Sequence, residues 1–130
     1  MKLLVWPHMG RESFWQGLDG EAIAQKFLVE QNYRIIAANF SSHQGEIDII
    51  AYDADTLVFV EVKNYSFRCY GSPLSAISRS KRANIIHAAR TYLYKNKIKN
   101  VNCRFDVITI YRQADGSRQV ELLKNAFMIN

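Results

Sequence analysis

Apolar residues recur along the chain with two different periods, and these periods predict the order of helices and strands. From Asp19 to about Gln31 they follow the three- and four-residue spacing of a helix, with Asp19 suited to the N-cap. The segment from Leu74 to about Asn96 has the same spacing, and Pro73 suits the first turn of the helix that it predicts. We therefore expect two helices, the second longer than the first.

Short segments rich in β-branched and aromatic residues predict strands between and after these helices. The predicted strands are 33–38, 46–51, 56–63, 104–111 and 120–123. The order of elements is a helix, three strands, a helix and a strand, with one further strand. This αβββαβ order predicts an α/β fold, a mixed central sheet flanked by helices. We expect a single domain over residues 1–130, with residues 1–16 as an N-terminal arm.

The second and third predicted strands form a hairpin whose register follows from its turn. If Ala54 and Asp55 are the two loop residues, paired residue numbers sum to 109. One face then carries the pairs Glu46–Lys63, Asp48–Glu61 and Ile50–Phe59, and the other carries Ile47–Val62, Ile49–Val60 and Ala51–Val58. A slip of one residue would bury charges, so burial favours this register.

Three acids and a lysine thus gather at one end of the hairpin. Asp48 and Glu61 would repel each other at such close range, and a divalent cation relieves that repulsion. Mg²⁺ or Mn²⁺ prefers oxygen ligands, which the two carboxylates and the Val62 carbonyl can supply. Lys63 lies on the same face as Glu61 and is placed to orient water or to stabilise a phosphorane. A solvated sheet face with ordinary ion pairs fits the same pattern equally well.

Composition narrows the class of protein. The chain has 130 residues, 48% hydrophobic and 22% charged, which suits one globular domain. Its apolar runs are too short to span a membrane, and its first residues do not form a signal peptide. Cys69 and Cys103 fit neither a disulfide framework nor a zinc site, so a cytoplasmic location is expected. The net charge of +5 mildly favours nucleic acid as a partner.

Two further segments carry candidate nucleic-acid contacts. The stretch 64–70 interleaves aromatic residues with Arg68, which suits base stacking and phosphate binding, and Tyr65 is its first aromatic residue. Lys81 and Arg82 lie near the start of the second helix and could face a phosphate backbone. The alternatives are an aromatic side chain that fills the edge of the core and a solvated helix face.

The hairpin also resembles a known family signature. Residues 45–51 (GEIDIIA) followed by 57–63 (LVFVEVK) resemble the YraN-like uncharacterised bacterial proteins, which are similar to archaeal Holliday-junction resolvases of the PD-(D/E)xK, restriction-endonuclease-like fold. The match extends to GEA at 20–22, GSP at 71–73, Ala76, Lys81 and RFDV at 104–107, and covers roughly residues 17–129. Ile47 stands where the motif's name has Pro, and Asn64-Tyr65 replaces a basic residue often seen after the lysine.

This resemblance implies roles for individual residues. Asp48 and Glu61 fall on metal-ligand positions, Lys63 on the catalytic lysine, and Glu21 on a first-helix acid that reaches the same metal. Because fold alone does not establish activity, the implied function is an expectation. Related resolvases act as dimers on two-fold junctions, which leaves a homodimer open.

The leading hypothesis is a metal-dependent endonuclease that acts on nucleic acid, with DNA favoured over RNA and branched structures as one class of substrate. The first alternative is a nucleic-acid-binding or assembly module that keeps the fold without turnover. The second alternative is a protein-interaction adaptor that uses the aromatic N-terminal arm around Trp6, Phe14 and Trp15.

Overall fold

Six strands form one mixed sheet in the order β1-β6-β5-β4-β3-β2. The structure, a computed structural model, describes residues 2–6, 19–65 and 77–127. The elements in chain order are β1 (Lys2–Trp6), α1 (Gly20–Glu30), β2 (Tyr33–Ser42), β3 (Gly45–Asp53), β4 (Thr56–Tyr65), α2 (Arg79–Lys95), β5 (Cys103–Arg112) and β6 (Arg118–Phe127). The α/β class and the αβββαβ order of the core are confirmed.

One pair of strands, β4 and β5, runs parallel, and all the other neighbours are antiparallel. A parallel pair needs a long crossover connection, and α2 lies within the connection between β4 and β5. The carboxyl ends of β4 and β5 therefore lie at the same end of the sheet.

The two helices cover opposite faces of the sheet, because successive residues of a strand point to opposite sides. Val58 and Val60 of β4 pack in a buried cluster with α1, whereas Leu57 and Phe59 pack in a second cluster with α2. We call these the α1 face and the α2 face. A sheet covered on both faces explains why four successive residues of β4, 57–60, are all apolar and buried.

Both helices begin at a capping side chain. Asp19 caps α1 as expected, since its carboxylate accepts a hydrogen bond of 2.8 Å from the Ala22 amide. The second helix begins at Arg79 and not near Leu74, because the Ser78 hydroxyl caps it by accepting from the Lys81 amide. Leu74 and Pro73 lie outside the described residues.

The N-terminal arm contains a strand that the sequence analysis did not predict. Residues Lys2–Trp6 pair with β6 in antiparallel register, Leu4 opposite Leu122. Phe14 and Trp15 of the expected arm lie outside the described residues.

The register of the central hairpin is confirmed from its turn to Ile49, where every paired number sums to 109. Ala54 adopts a φ of 53° in the two-residue turn. Beyond the Ile49–Val60 pair, the ladder between β3 and β4 ends. The expected backbone pairs Asp48–Glu61, Ile47–Val62 and Glu46–Lys63 are therefore wrong, because the two strands diverge at this point.

A change of face accompanies this divergence. Ile47 was expected beside Ile49, but it packs in the α2 cluster while Ile49 packs in the α1 cluster. On β2, Asn39 lies opposite Asp48 and has a left-handed φ of 53°. Both strands thus break their alternation at the same place, beside Asp48.

None of the helices in the described residues is both long and apolar enough to cross a membrane.

Candidate active site

A buried carboxylate and two lysines meet at the carboxyl end of β4. Glu61 and Lys63 lie two residues apart and therefore share the α2 face. The Lys63 ammonium is 3.4 Å from Glu61 Oε1, and Lys81, from the first turn of α2, is 3.7 Å from the same oxygen. The Glu61 side chain is only 6% exposed, whereas those of Lys63 and Lys81 are 28% and 42% exposed. The lysines thus connect a buried acid to the surface.

Asp48 approaches this group from the diverging end of β3. Its Oδ2 accepts a hydrogen bond of 2.8 Å from the Val62 amide, which joins the two strands where their ladder has ended. Burial, and then the negative charge of Asp48, raise the pKa of the Glu61 carboxyl, and the two lysines offset this only in part. The two acids therefore repel each other across a short gap.

Gly45 fixes the distance between β3 and α2 beside this site. A methyl group on its α-carbon would lie 2.6 Å from the Asn84 carbonyl oxygen of α2, which is closer than real contacts allow. A residue with a side chain would push β3 away from the helix that carries Lys81. The glycine before Glu46 is thus required by close packing of strand on helix.

Glu21 lies in the first turn of α1, and its carboxylate is held by neighbouring amides. Its Oε1 accepts from the Asn39 side chain at 2.9 Å and from Gln25 at 3.4 Å. The neighbours of Asn39, Ala38 and Phe40, pair with Ile49 and Ile47, so Asn39 holds Glu21 at the level of Asp48 along the sheet. On the other side of Glu21, the Cβ position of Gly20 overlaps the Asn64 side chain, so α1 starts in contact with the end of β4.

The carboxylate oxygens of Asp48 and Glu61 are suitable ligands for a hard divalent cation. Two repelling carboxylates, one of them buried, are the setting that such an ion stabilises. Among residues 19–65 and 77–127, however, no three Asp, Glu, His or Cys side chains are close enough to form a metal-binding group. Glu21 in particular is engaged by Asn39 and Gln25.

The candidate nucleic-acid contacts have different positions. Tyr65 stacks on Tyr111 of β5, with ring centroids 5.7 Å apart. Lys81 joins Glu61 as described, and Arg82 is half-buried in the same turn of α2. Arg68 lies outside the described residues, as do residues 71–73 and Ala76 of the family signature.

The sequence analysis missed Asn39 and the pairing of Lys81 with Glu61. A single asparagine in a strand is a weak signal, although asparagine tolerates the left-handed conformation better than most residues. Lys81 was predicted to face phosphate, and its separation of 20 residues from Glu61 gave no indication of their contact.

A second group of charges lies on the α1 face of the sheet, from the hairpin turn to the middle of β4 and β5. Asp106 is buried, and it accepts hydrogen bonds from the Tyr33 hydroxyl at 2.8 Å, the Arg104 Nε at 2.9 Å and the Asn125 amide. Arg104 also pairs with Asp53 at 2.8 Å, and Lys124 with Asp53 at 3.4 Å. Asp106 is thus held in a buried ion pair on the α1 face. It lies beside Val60 in the parallel register, one position from Glu61, but Glu61 points to the opposite, α2 face of the sheet.

Comparison with known proteins identifies relatives over most of the chain. Residues 20–110 match the model described as "Uncharacterised protein family UPF0102". A UPF0102 protein of Acetivibrio thermocellus is 43% identical over 116 residues, which cover 85% of this chain and 89% of the relative. A UPF0102 protein of Colwellia psychrerythraea is 44% identical over 110 residues, 82% of this chain and 84% of the relative. The matched region contains α1, the hairpin site and α2, and the chain belongs to the UPF0102 family.

Proposed function

We propose that this protein is a divalent-metal-dependent nuclease that hydrolyses phosphodiesters, with DNA as the favoured substrate. The observation that carries the proposal is the setting of Glu61: a buried carboxylate, beside a second acid, contacted by two partly exposed lysines. In a purely structural ion pair, we expect the positive partners to offset the cost of burying the carboxylate. Here the pKa of Glu61 stays raised in spite of two lysines. Perturbed acids with specific charge partners are typical of functional sites.

Asp48, Glu61 and the Val62 carbonyl would hold Mg²⁺ or Mn²⁺, with Glu21 as a further ligand if its amide partners release it. When bound, such an ion supplies charge for the phosphate oxygens and lowers the pKa of water. The Val62 amide fixes Asp48 through the hydrogen bond of 2.8 Å, so one ligand is already oriented.

Lys63 and Lys81 supply the positive charge that a phosphodiester needs. Both ammonium groups reach the same Glu61 oxygen from partly exposed positions, so a phosphate at the surface lies within reach of either. Lys63 orients the attacking water or stabilises the negative charge that develops on the phosphate oxygens. Lys81 holds the same phosphate from the side of α2. Its role is therefore closer to the reacting phosphate than a contact with the nucleic-acid backbone elsewhere would be.

The test is a cleavage panel with end-labelled single-stranded, duplex, flap and four-way-junction DNA and with RNA. Each substrate is incubated with Mg²⁺ or Mn²⁺ and with wild type, Lys63→Ala or Asp48→Ala protein. We expect cleavage by the wild type and a loss of at least about 100-fold with Lys63→Ala, the scale of a lost general acid–base or oxyanion-stabilising group. Lys95→Ala is the matched control, because Lys95 is exposed in the last turn of α2.

Calorimetric titration with Mn²⁺ separates the roles of the two residues. Lys63→Ala should bind the ion nearly as well as the wild type, whereas Asp48→Ala should lose both binding and cleavage. Cleavage by Lys63→Ala at the wild-type rate would refute the assignment of the catalytic lysine.

A binding module without turnover is the second candidate function. Two observations favour it. Among the described residues no third acid lies close to Asp48 and Glu61, and Glu21 is already hydrogen-bonded to Asn39. Its signature is salt-sensitive nucleic-acid binding that survives Asp48→Ala, together with no cleavage by the wild type.

A further inference from the structure

Two arginines face each other at the tip of the hairpin formed by β5 and β6. The register of these antiparallel strands places Arg112 directly opposite Arg118. Like charges directly opposite one another destabilise a sheet. The pair therefore carries a cost that the fold alone does not explain.

No carboxylate offsets this charge in the described residues, where neither guanidinium is within ion-pair distance of an acid. The Arg118 Nη1 donates to the Gly116 carbonyl at 2.8 Å, which leaves its other donors available. Burial, and then the charge of Arg112, lower the pKa of Arg118. An anion between the two guanidinium groups would relieve this repulsion.

The arginines line a cavity that can hold such an anion. Its volume is about 160 Å³, and its walls are Asn64, Tyr65, Ile110, Arg112 and Arg118. About 10–15 Å³ on the same measure is enough for one water molecule, so a phosphate group fits. The two guanidinium groups offer only hydrogen-bond donors, and the Asn64 side-chain amide offers two more. Such a set of donors suits a phosphate group.

The cavity adjoins the candidate active site through β4. Asn64 and Tyr65 directly follow Lys63, and the parallel register places Asn64 beside Ile110 of β5. Strand geometry puts the arginine α-carbons roughly 10–15 Å from that of Lys63. Ile110 packs in the α1 cluster, so the cavity lies on the α1 side of the strand end, and Lys63 lies on the α2 side.

We propose that Arg112, Arg118 and Asn64 form a phosphate-binding subsite for the substrate strand, distinct from the phosphate beside Lys63. This inference rests on the proposed function, since it takes nucleic acid as the ligand. A strand that passes over the carboxyl end of β4 would contact both sites. Bidentate arginine contacts would fix its position there.

The experiment measures binding without cleavage, by fluorescence anisotropy of a 3′-labelled single-stranded DNA in the presence of EDTA. We expect Arg112→Gln/Arg118→Gln to weaken binding about tenfold or more. The slope of log affinity against log salt should also fall by about one for each lost phosphate contact. Arg90→Gln/Lys95→Ala removes the same charge from exposed positions of α2 and should change both quantities much less.

Thermal unfolding distinguishes a binding subsite from a structural pair. Removing opposed like charges should leave the melting temperature of the double variant equal to or above that of the wild type. Weaker binding by a protein that is no less stable supports the subsite. Unchanged affinity and slope, an equal loss in the control variant, or no DNA binding by the wild type would overturn it.

A 5′-phosphorylated oligonucleotide is compared with its 5′-hydroxyl form to identify the phosphate. A loss of binding with both forms supports an internal phosphodiester, and a loss confined to the phosphorylated form supports a terminal phosphate in the same cavity. Failure of the proposed nuclease would appear differently, as intact binding without cleavage in Mg²⁺ or Mn²⁺.

Discussion

Two acidic clusters around the central sheet have opposite electrostatic character, one on the α1 face and one at the carboxyl end of β4. On the α1 face, Asp53 at the turn and Asp106 in β5 both receive hydrogen bonds from Arg104, and further donors complete the set. About 17 Å from Asp53 along β3, Asp48 approaches the end of β4 that carries Glu61, at the point where the strands separate. The same sheet thus holds one cluster whose charges are matched and one whose charges are not.

The pKa shifts express this difference. At the turn, burial opposes the charge of Asp53, but the hydrogen bond from Arg104 and the charge of Lys124 outweigh it and lower the pKa. At the carboxyl end of β4, burial and Asp48 raise the pKa of Glu61 in spite of two lysines. This contrast supports the proposal that the second cluster binds a ligand.

The largest effect is expected from breaking the matched cluster. Asp106→Ala leaves Arg104 and the Tyr33 hydroxyl without their buried partner, and should lower the free energy of unfolding by about 3–5 kcal/mol. Urea denaturation followed by far-UV circular dichroism measures it. A loss under about 1 kcal/mol would show that the cluster on the α1 face does not stabilise the fold.

A smaller effect, specific to acid, is expected at Asp53. Its pKa is lowered in the folded state, so its contribution to stability is full above the ordinary value of 3.8 and is lost as the pH falls through the lowered value. Asp53→Asn should remove this acid-dependent part, so that its stability falls less steeply than that of the wild type below about pH 4. Melting temperatures across that range, with Asp55→Asn at the exposed turn position as control, measure the difference.

The smallest change in stability is expected at Glu61, and its sign is opposite. Because the charged carboxylate is disfavoured by burial and by Asp48, Glu61→Gln should melt at neutral pH at the same temperature as the wild type or higher, with chelator present. Nuclease activity should nevertheless be lost. Differential scanning calorimetry decides: a clear fall in melting temperature would place Glu61 with the structural acids.

The register near the hairpin turn could be predicted because it depends on local chemistry. Alternation of apolar residues and the two-residue turn at Ala54 and Asp55 determine which residues pair as far as Ile49. The cap of α1 at Asp19 follows from local hydrogen bonding in the same way. Asp48, Glu61 and Lys63 could be selected for the same reason, since their spacing is set within one hairpin.

The remainder of the site depends on contacts between distant elements. The close packing of Gly45 against α2 brings together two elements about 40 residues apart, and hairpin periodicity gives no indication of it. The pairing of Lys81 with Glu61 depends on where α2 begins, and its start at Arg79 is fixed by Ser78 after a long connection. The strand at Lys2–Trp6 likewise forms only because β6 offers it an edge.

Asn39 affects whether β2, at the edge of the sheet, can pair with a strand of another molecule. The strand β2 is at one edge of the sheet, where unpaired amides and carbonyls could accept a strand from another molecule. The left-handed turn at Asn39 and the register shift between Ile35 and Ala37 interrupt its straight run twice within ten residues. A continuous intermolecular ladder along β2 is therefore disfavoured, and the residue that secures Glu21 also protects the molecule against edge-to-edge aggregation.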